Sequence, residues 1–248
     1  VRQTGGNNAK RWLMIPGWNT NITYTVGNYG FSLPTDNYRD SSISTPRIMI
    51  SVHYYDPWDF CGEESSNVTQ WGDTATNSSK ISSWGDESAL KSQFSSLYNK
   101  FVAAGYPVVI GEYGSIDKSA YDSTSAAQRA EFAKKVCTYA KKYGMVPVLW
   151  DNGYTGTYGF GVIDRSTCKV TQQKIIDAIA SVYPKSSSSN SSNSSASSLE
   201  GTYYIKSAFS GLYLDVANGS ASNNANVQQY TYTGTDRQKF KLVKDSAT

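Results

Sequence analysis

The 248-residue chain is 39% hydrophobic and 17% charged, with a formal net charge of +3. That length suits one large domain with a small appendage, and the charge is too mild to argue for nucleic acid or an anionic membrane as partner. No apolar run is long enough to span a bilayer. Aromatic residues reach 13%, which suits stacking on ring-shaped ligands as well as filling a core. His53 is the single histidine, and Cys61, Cys137 and Cys168 carry no zinc-ligand spacing, so neither metal nor cofactor is expected. At most one cysteine pair could bridge; Cys137 with Cys168 is one option, and sequence leaves it open.

In chain order, the opening VRQTGGNN reads as the tail of a helix leaving through a Gly-Gly stop, as if the chain were cut from something longer. Two apolar runs follow, RWLMIPGW at 11–18 and RIMISVHYY at 47–55. A long loop, 56–85, holds Trp58, Phe60, Trp71 and Trp84, and its length suggests a part in shaping a binding cleft. Residues 86–104 put Leu90, Phe94, Leu97 and Phe101 on one helical face, and Gly105 stops the helix. PVVIGEYG at 107–114 is the third apolar run. SAAQ at 125–128 has the form of a capping box opening a helix that turns Ala133, Val136, Cys137 and Ala140 inward and ends at Gly144. MVPVLWDNG at 145–153 is the fourth run, and a helix over 171–183 carries Ile175, Ile176, Ile179 and Val182. The runs are continuous rather than alternating, as for strands covered on both faces. Their alternation with helices predicts an α/β fold with a parallel sheet.

Each run ends in chemistry: Trp18 and Asn19, then His53 and Tyr55, then Glu112, then Trp150, Asp151 and Asn152. In a parallel α/β array those ends lie at one face, which on a (β/α)8 TIM barrel holds the active site. No Gly-rich phosphate loop follows any run, which argues against a nucleotide site. By residue type alone, a lone histidine is more often a core hydrogen-bonding group and Glu112 more often a helix cap or an ion-pair partner, while Trp150 is about as readily a core side chain as a ligand platform. Several such groups at successive strand ends shift that balance.

HYYDPWDF, IGEYG and LWDNG, with LMIPGW before them, resemble the last strands of the catalytic barrel of glycoside hydrolase family 5. The likeness is greatest to its cellulase and xyloglucanase-like members. It covers residues 1–184 and implies the second half of a TIM barrel, strands five to eight, with the strands side by side, parallel and in chain order. It implies Glu112 as the nucleophile of a retaining endo-β-1,4-glucanase. Tyr55 would donate its hydroxyl to that carboxylate, and His53 would bond sugar hydroxyls or the carboxylate network. Trp150 would form the floor under a glucosyl ring, with Trp58 and Asn152 in the substrate cleft. One departure matters. The family's general acid/base follows an asparagine in an Asn-Glu-Pro-like motif, and no Asn-Glu pair occurs in this chain. By this resemblance the chain alone lacks the acid half of the site and is expected to be inactive. The alternative is a non-catalytic glycan-binding protein.

Residues 185–198 are a Ser/Asn tract that reads as a flexible linker. Residues 199–248 alternate short β runs with Gly/Asn/Ser turns and resemble one repeat of a ricin-type β-trefoil lectin, through LDV at 214–216, VQQY at 227–230 and Q-x-F at 238–240. That likeness implies Asp215 accepting sugar hydroxyls and Tyr230 stacking on a sugar ring, with Gln238 and Phe240 in the core. The expected partner is a β-glucan polysaccharide (cellulose, mixed-linkage glucan or xyloglucan), with no nucleic acid and no membrane, and the expected location is extracellular. The sequons at Asn21 and Asn67 suit that location where the host glycosylates.

Overall fold

The computed structural model describes residues 1–183, 201–208 and 210–242. The linker expected at 185–198 lies outside the described residues. The chain divides into two compact units near position 186.

The first unit is built on one four-stranded parallel sheet in chain order: β1 (Leu13–Asn21), β2 (Ile48–Tyr54), β3 (Val108–Tyr113) and β4 (Val146–Leu149). Three longer helices cover one face: α3 (Glu87–Lys100), α4 (Ser125–Lys142) and α5 (Gln173–Val182). Short helices α1 (Ile22–Val26) and α2 (Trp58–Cys61) follow β1 and β2. The core is where the sheet meets the helices. Ile50, Val52, Val108 and Ile110 from the strands meet Leu90, Phe94 and Leu97 of α3 and Phe132, Ala133 and Val136 of α4.

Three local expectations change, and one left open is decided. Only one sheet face is buried: β2 alternates buried and half-buried residues along its length. Met14, Val146 and Val148 are exposed. The runs are apolar on both sides, but among the described residues only one side has helices against it. The opening is not a helix tail: Gly6–Ala9 is a 3-10 turn entered through Gly5 at φ +90°. The capping box at 125–128 does not form. Helix α4 already includes Ser125, whose Oγ accepts from the Lys118 N–H, while Gln128 Oε1 accepts from the Trp71 N–H. Both side chains tie the helix to the loops before it. By contrast, α3 is capped by Asp86, whose carboxylate accepts from Ala89 N–H at 2.9 Å, as the first-turn chemistry favours. Finally, all three cysteines are free, with Cys61 and Cys137 buried and Cys168 exposed.

The second unit pairs β7 (Gly201–Tyr204) with β10 (Lys239–Leu242) and β8 (Tyr213–Val216) with β9 (Val227–Tyr230), both antiparallel. Short strands β5 (Ile163–Asp164) and β6 (Lys169–Val170) form a separate hairpin in the first unit.

The two sheet faces should differ sharply in mutational cost. Ile50→Ala should destabilise the first unit by about 2–5 kcal/mol. Val148→Ala, on the open face, should cost under about 1 kcal/mol. Denaturant unfolding of both variants checks this, and equal costs would contradict the burial pattern.

Candidate active site

Strand β3 carries one more residue than its neighbours. Along β2 and β3, Val52 pairs with Ile110 but His53 pairs with Glu112, so Gly111 is an extra residue. The β3–β4 register slips at the same place, between Ile110 and Tyr113. A bulge re-aims the side chain that follows it. Here it sets Glu112 beside His53, where uninterrupted pairing would have set it one position further on. The bulge is tight around its glycine: a Cβ on Gly111 would collide with Ser51 Oγ and touch the His53 ring at 3.6 Å.

Tyr55, just past β2, donates its hydroxyl to Glu112 Oε2 at 3.0 Å. His53 Nδ1 lies 3.3 Å from the same oxygen. Both groups crowd Oε2, and among the described residues no donor bonds Oε1. The Glu112 and His53 side chains are 28% and 30% exposed, so a ligand can reach them. Burial, then the Glu112 carboxylate, pushes Tyr55 far above the usual phenol range. Tyr55 is therefore a hydrogen-bond donor at any working pH. Its ring is held edge-on by Trp58 at 6.2 Å and by Phe160 at 5.9 Å.

Trp150 stands at the end of β4, and its N–H donates to Tyr113 O at 2.9 Å. It is 40% exposed. Together with Leu149, Gly114 and Phe160 it closes on a void of only about 10 Å³. It thus packs firmly on the protein while keeping part of its surface free, as a stacking platform requires. Trp58 is exposed beside Tyr55. Asn152 is placed differently from a free sugar-binding amide: its Oδ1 accepts from the N–H groups of Tyr154 and Phe160 at 3.1 and 3.2 Å. It folds the loop that brings Phe160 onto Tyr55. Trp18 and Asn19 lie on an exposed stretch of β1, with Asn19 at φ +51°.

In the second unit the expectation for Asp215 has to be corrected. Its carboxylate has no exposed surface. Oδ1 accepts from Gln228 Nε2 at 3.1 Å, Oδ2 from Gln238 Nε2 at 3.0 Å, and Arg237 Nε lies 3.0 Å from Oδ2. A carboxylate so enclosed has no room for a sugar hydroxyl; it pins the hairpin to Gln238, which is itself buried. Tyr230 is 48% exposed, and the Arg237 guanidinium sits over its ring at 5.3 Å. One ring face is therefore taken.

The family described as cellulase (glycosyl hydrolase family 5) matches residues 1–156. The chain belongs to glycosyl hydrolase family 5. Its first unit has the parallel-sheet, TIM-barrel-type fold of that family. Residues 192–248 match the ricin-type beta-trefoil lectin domain-like family. Endoglucanase A of Paenibacillus barcinonensis is 64% identical over 181 residues, 72% of this chain and 45% of that protein. A family 5 xyloglucanase from Paenibacillus pabuli, solved in complex with ligand, is 64% identical with a TM-score of 0.71, covering 73% of this chain and 51% of that one. A Bacteroides ovatus family 5 xyloglucanase in complex with a XXXG heptasaccharide is 31% identical with a TM-score of 0.63, covering 73% of this chain and 38% of that one. The chain thus spans about half or less of the length of these relatives.

Sequence reasoning on this family 5 unit does not single out Phe160, Asp151 as a loop anchor, or the bulge. Asp151 accepts from Gly153 N–H at 2.6 Å and Val162 N–H at 2.9 Å. Burial alone would raise its pKa, but these backbone donors and Arg165 outweigh it and hold the carboxyl below the usual range. The available signal for Phe160 is its setting, Gly159-Phe160-Gly161. A Cβ at Gly161 would press on the Tyr154 carbonyl oxygen at 2.6 Å, and one at Gly159 would collide with it.

The bulge has a direct test. Gly111→Ala should cost about 1–3 kcal/mol of stability through the clash with Ser51. Adding Ser51→Ala should recover at least half of that loss. A denaturant double-mutant cycle with no coupling between the two positions would contradict the packing described.

Proposed function

We propose that residues 1–184 form the nucleophile-bearing half, strands five to eight, of a retaining endo-β-1,4-glucanase barrel, joined through a linker at 185–198 to a carbohydrate-binding unit at 199–248. The observation that carries this reading is the Tyr55–Glu112–His53 cluster at the carboxyl ends of adjacent parallel strands. Glu112 Oε1, with no donor bonded to it, is the oxygen that would attack the anomeric carbon and form a glycosyl ester. Tyr55 and His53 would hold Oε2 and fix the carboxylate's orientation. Trp150 would take the face of the sugar ring, and Trp58 would extend the apolar surface.

A retaining mechanism needs a second carboxyl about 5 Å from the first to protonate the leaving oxygen. The described glutamates other than Glu112 do not suit that role. Glu87 and Glu131 are paired with Lys135 on α3 and α4, Glu63 holds Ser65 in its own loop, and Glu64 is exposed. We assign the acid/base to a strand outside the described residues, whose chain would also cover the open face of the sheet. The substrate class is β-1,4-linked glucan, in keeping with the endoglucanases and xyloglucanases among the relatives. The location is extracellular, where such polymers occur. A second reading, glycan binding without hydrolysis by the chain as it stands, is favoured by the absence of an Asn-Glu pair.

Reducing-sugar release from xyloglucan, mixed-linkage glucan and carboxymethyl cellulose tests both. The 248-residue chain alone should release none. Within a longer chain that supplies the Asn-Glu segment, Glu112→Gln should lower kcat at least about a thousandfold, or about 4 kcal/mol of transition-state stabilisation. Glucan binding should persist. Near-normal turnover in that variant would show that another carboxylate is the nucleophile.

A further inference from the structure

A second concavity opens at the same end of the sheet, in the loops after β2, β3 and β4, and it shares no residue with the Glu112 cluster. It has a volume of about 340 Å³ and is lined by Asn67, Thr69, Lys80, Lys118, Tyr121 and Tyr158, with Glu64 at its edge. Two tyrosine rings dominate it. Tyr121 and Tyr158 stack nearly parallel, with centroids 5.6 Å apart and an interplanar angle of 15°. Tyr121 is 61% exposed, with Tyr158 stacked on one side of its ring.

The backbone under the Tyr158 ring is firmly held. Tyr158 adopts φ +65°, a left-handed conformation that a residue with a bulky side chain rarely takes and that carries strain. It is kept there by its N–H donating to Asp117 O at 2.7 Å, while the Asp117 N–H donates to Gly159 O at 3.0 Å. Beneath them, the buried Arg129 donates to Ser115 O at 3.0 Å and Gly159 O at 3.4 Å. A strained residue, fixed this firmly, that presents a ring to a partner ring at the surface is a reason to look for a ligand.

The charges narrow the ligand's chemistry. Lys118 Nζ donates to three backbone carbonyls, Asp59 at 2.9 Å, Ser66 at 3.1 Å and Val68 at 2.9 Å. Lys80 Nζ is bound to Asp122 at 3.1 Å. That carboxylate also accepts from Thr69 and Gln70. Both cations are committed, so nothing is left over for an anionic ligand, and the exposed Glu64 would repel one. What the pocket offers is an aromatic face with hydroxyl and amide groups around it. That combination suits the C–H face and hydroxyl rim of a neutral pyranose.

We propose that the Tyr121–Tyr158 pocket is a second glucan-binding subsite of the first unit, taking a neutral hexosyl or pentosyl ring of a polymer on the outer face of Tyr121. The proposal rests on the reading of the chain as glucan-acting. The test is affinity electrophoresis of the monomeric full chain through native gels holding hydroxyethyl cellulose or xyloglucan. Tyr121→Ala should weaken retardation about 3- to 10-fold. Tyr158→Gly, which removes the supporting ring and relieves the left-handed strain, should weaken binding similarly while leaving the thermal midpoint unchanged or higher. Trp150→Ala should cause a separate loss, and Tyr121→Ala with Trp150→Ala should multiply the two. Unchanged retardation of Tyr121→Ala in both polymers, or a wild-type chain that neither polymer retards, would overturn the subsite. Loss with Tyr121→Ala but none with Trp150→Ala would leave the subsite standing and remove Trp150 as the cleft floor.

Discussion

The geometry of the site depends on one irregularity, the extra residue at Gly111. A parallel strand with unbroken pairing turns alternate residues to opposite faces. Val108 and Ile110 face the helices and are buried. An unbroken β3 would therefore turn Gly111 to the open face and Glu112 into the apolar core with Ile110. There an unpaired carboxylate is costly. The bulge adds one residue and reverses that parity. Glu112 comes out beside His53, and Tyr113 takes the buried position, where its hydroxyl meets Cys137 Sγ at 3.2 Å. One glycine thus resolves a conflict between strand periodicity and the need for an accessible carboxylate at the strand's end.

The loops around Glu112 are fastened to each other more than to the sheet. From α4, Arg129 reaches the segments after β3 and β4, and burial lowers its pKa to about 10, partly offset by Asp117. Lys118, after β3, gathers three carbonyls from the loop after β2. Asp122 draws Thr69, Gln70 and Lys80 to the same region. Each of these is a buried or half-buried charge that satisfies backbone or side-chain groups that water would otherwise have to reach. The loop over 56–85 has little regular structure of its own, so these cross-loop bonds are what fix its shape.

The sequence was most legible where one residue type has one physical use. The four parallel strands, the faces of α3 and α4 and the stop at Gly105 follow from period and from glycine's tolerance of φ +87°. The grouping of His53, Tyr55 and Glu112 follows from their places at strand ends. The misreadings come from residues with several outlets for the same group. Ser125 and Gln128 can cap a helix or tie it to a distant loop, and tertiary packing decided for the loop. Asn152 can meet a ligand or fold its own turn. Phe160 meets Tyr55 across more than a hundred positions of sequence, a relation that local pattern does not encode. The open sheet face follows from the half-barrel resemblance and not from the runs themselves, which are apolar throughout: composition records what could be buried and not what is.

Two carboxylates at strand positions, Glu112 and Asp215, show why residue type alone decides little. A carboxylate has about four acceptor positions. Around Asp215, two glutamine amides and an arginine occupy both oxygens, and no surface remains. The group is spent on holding β8, β9 and the segment before β10 together. Around Glu112, Tyr55 and His53 converge on one oxygen and leave the other on an open face. The first arrangement maximises the satisfaction of a buried charge, which is what stability asks. The second orients a charge while leaving a lone pair unspent, which lowers stability relative to full pairing and makes sense only if something else is to meet that oxygen. Chemistry is therefore read from the unused acceptor, and that acceptor exists because the bulge set the carboxylate where only one side of it could be reached by the protein.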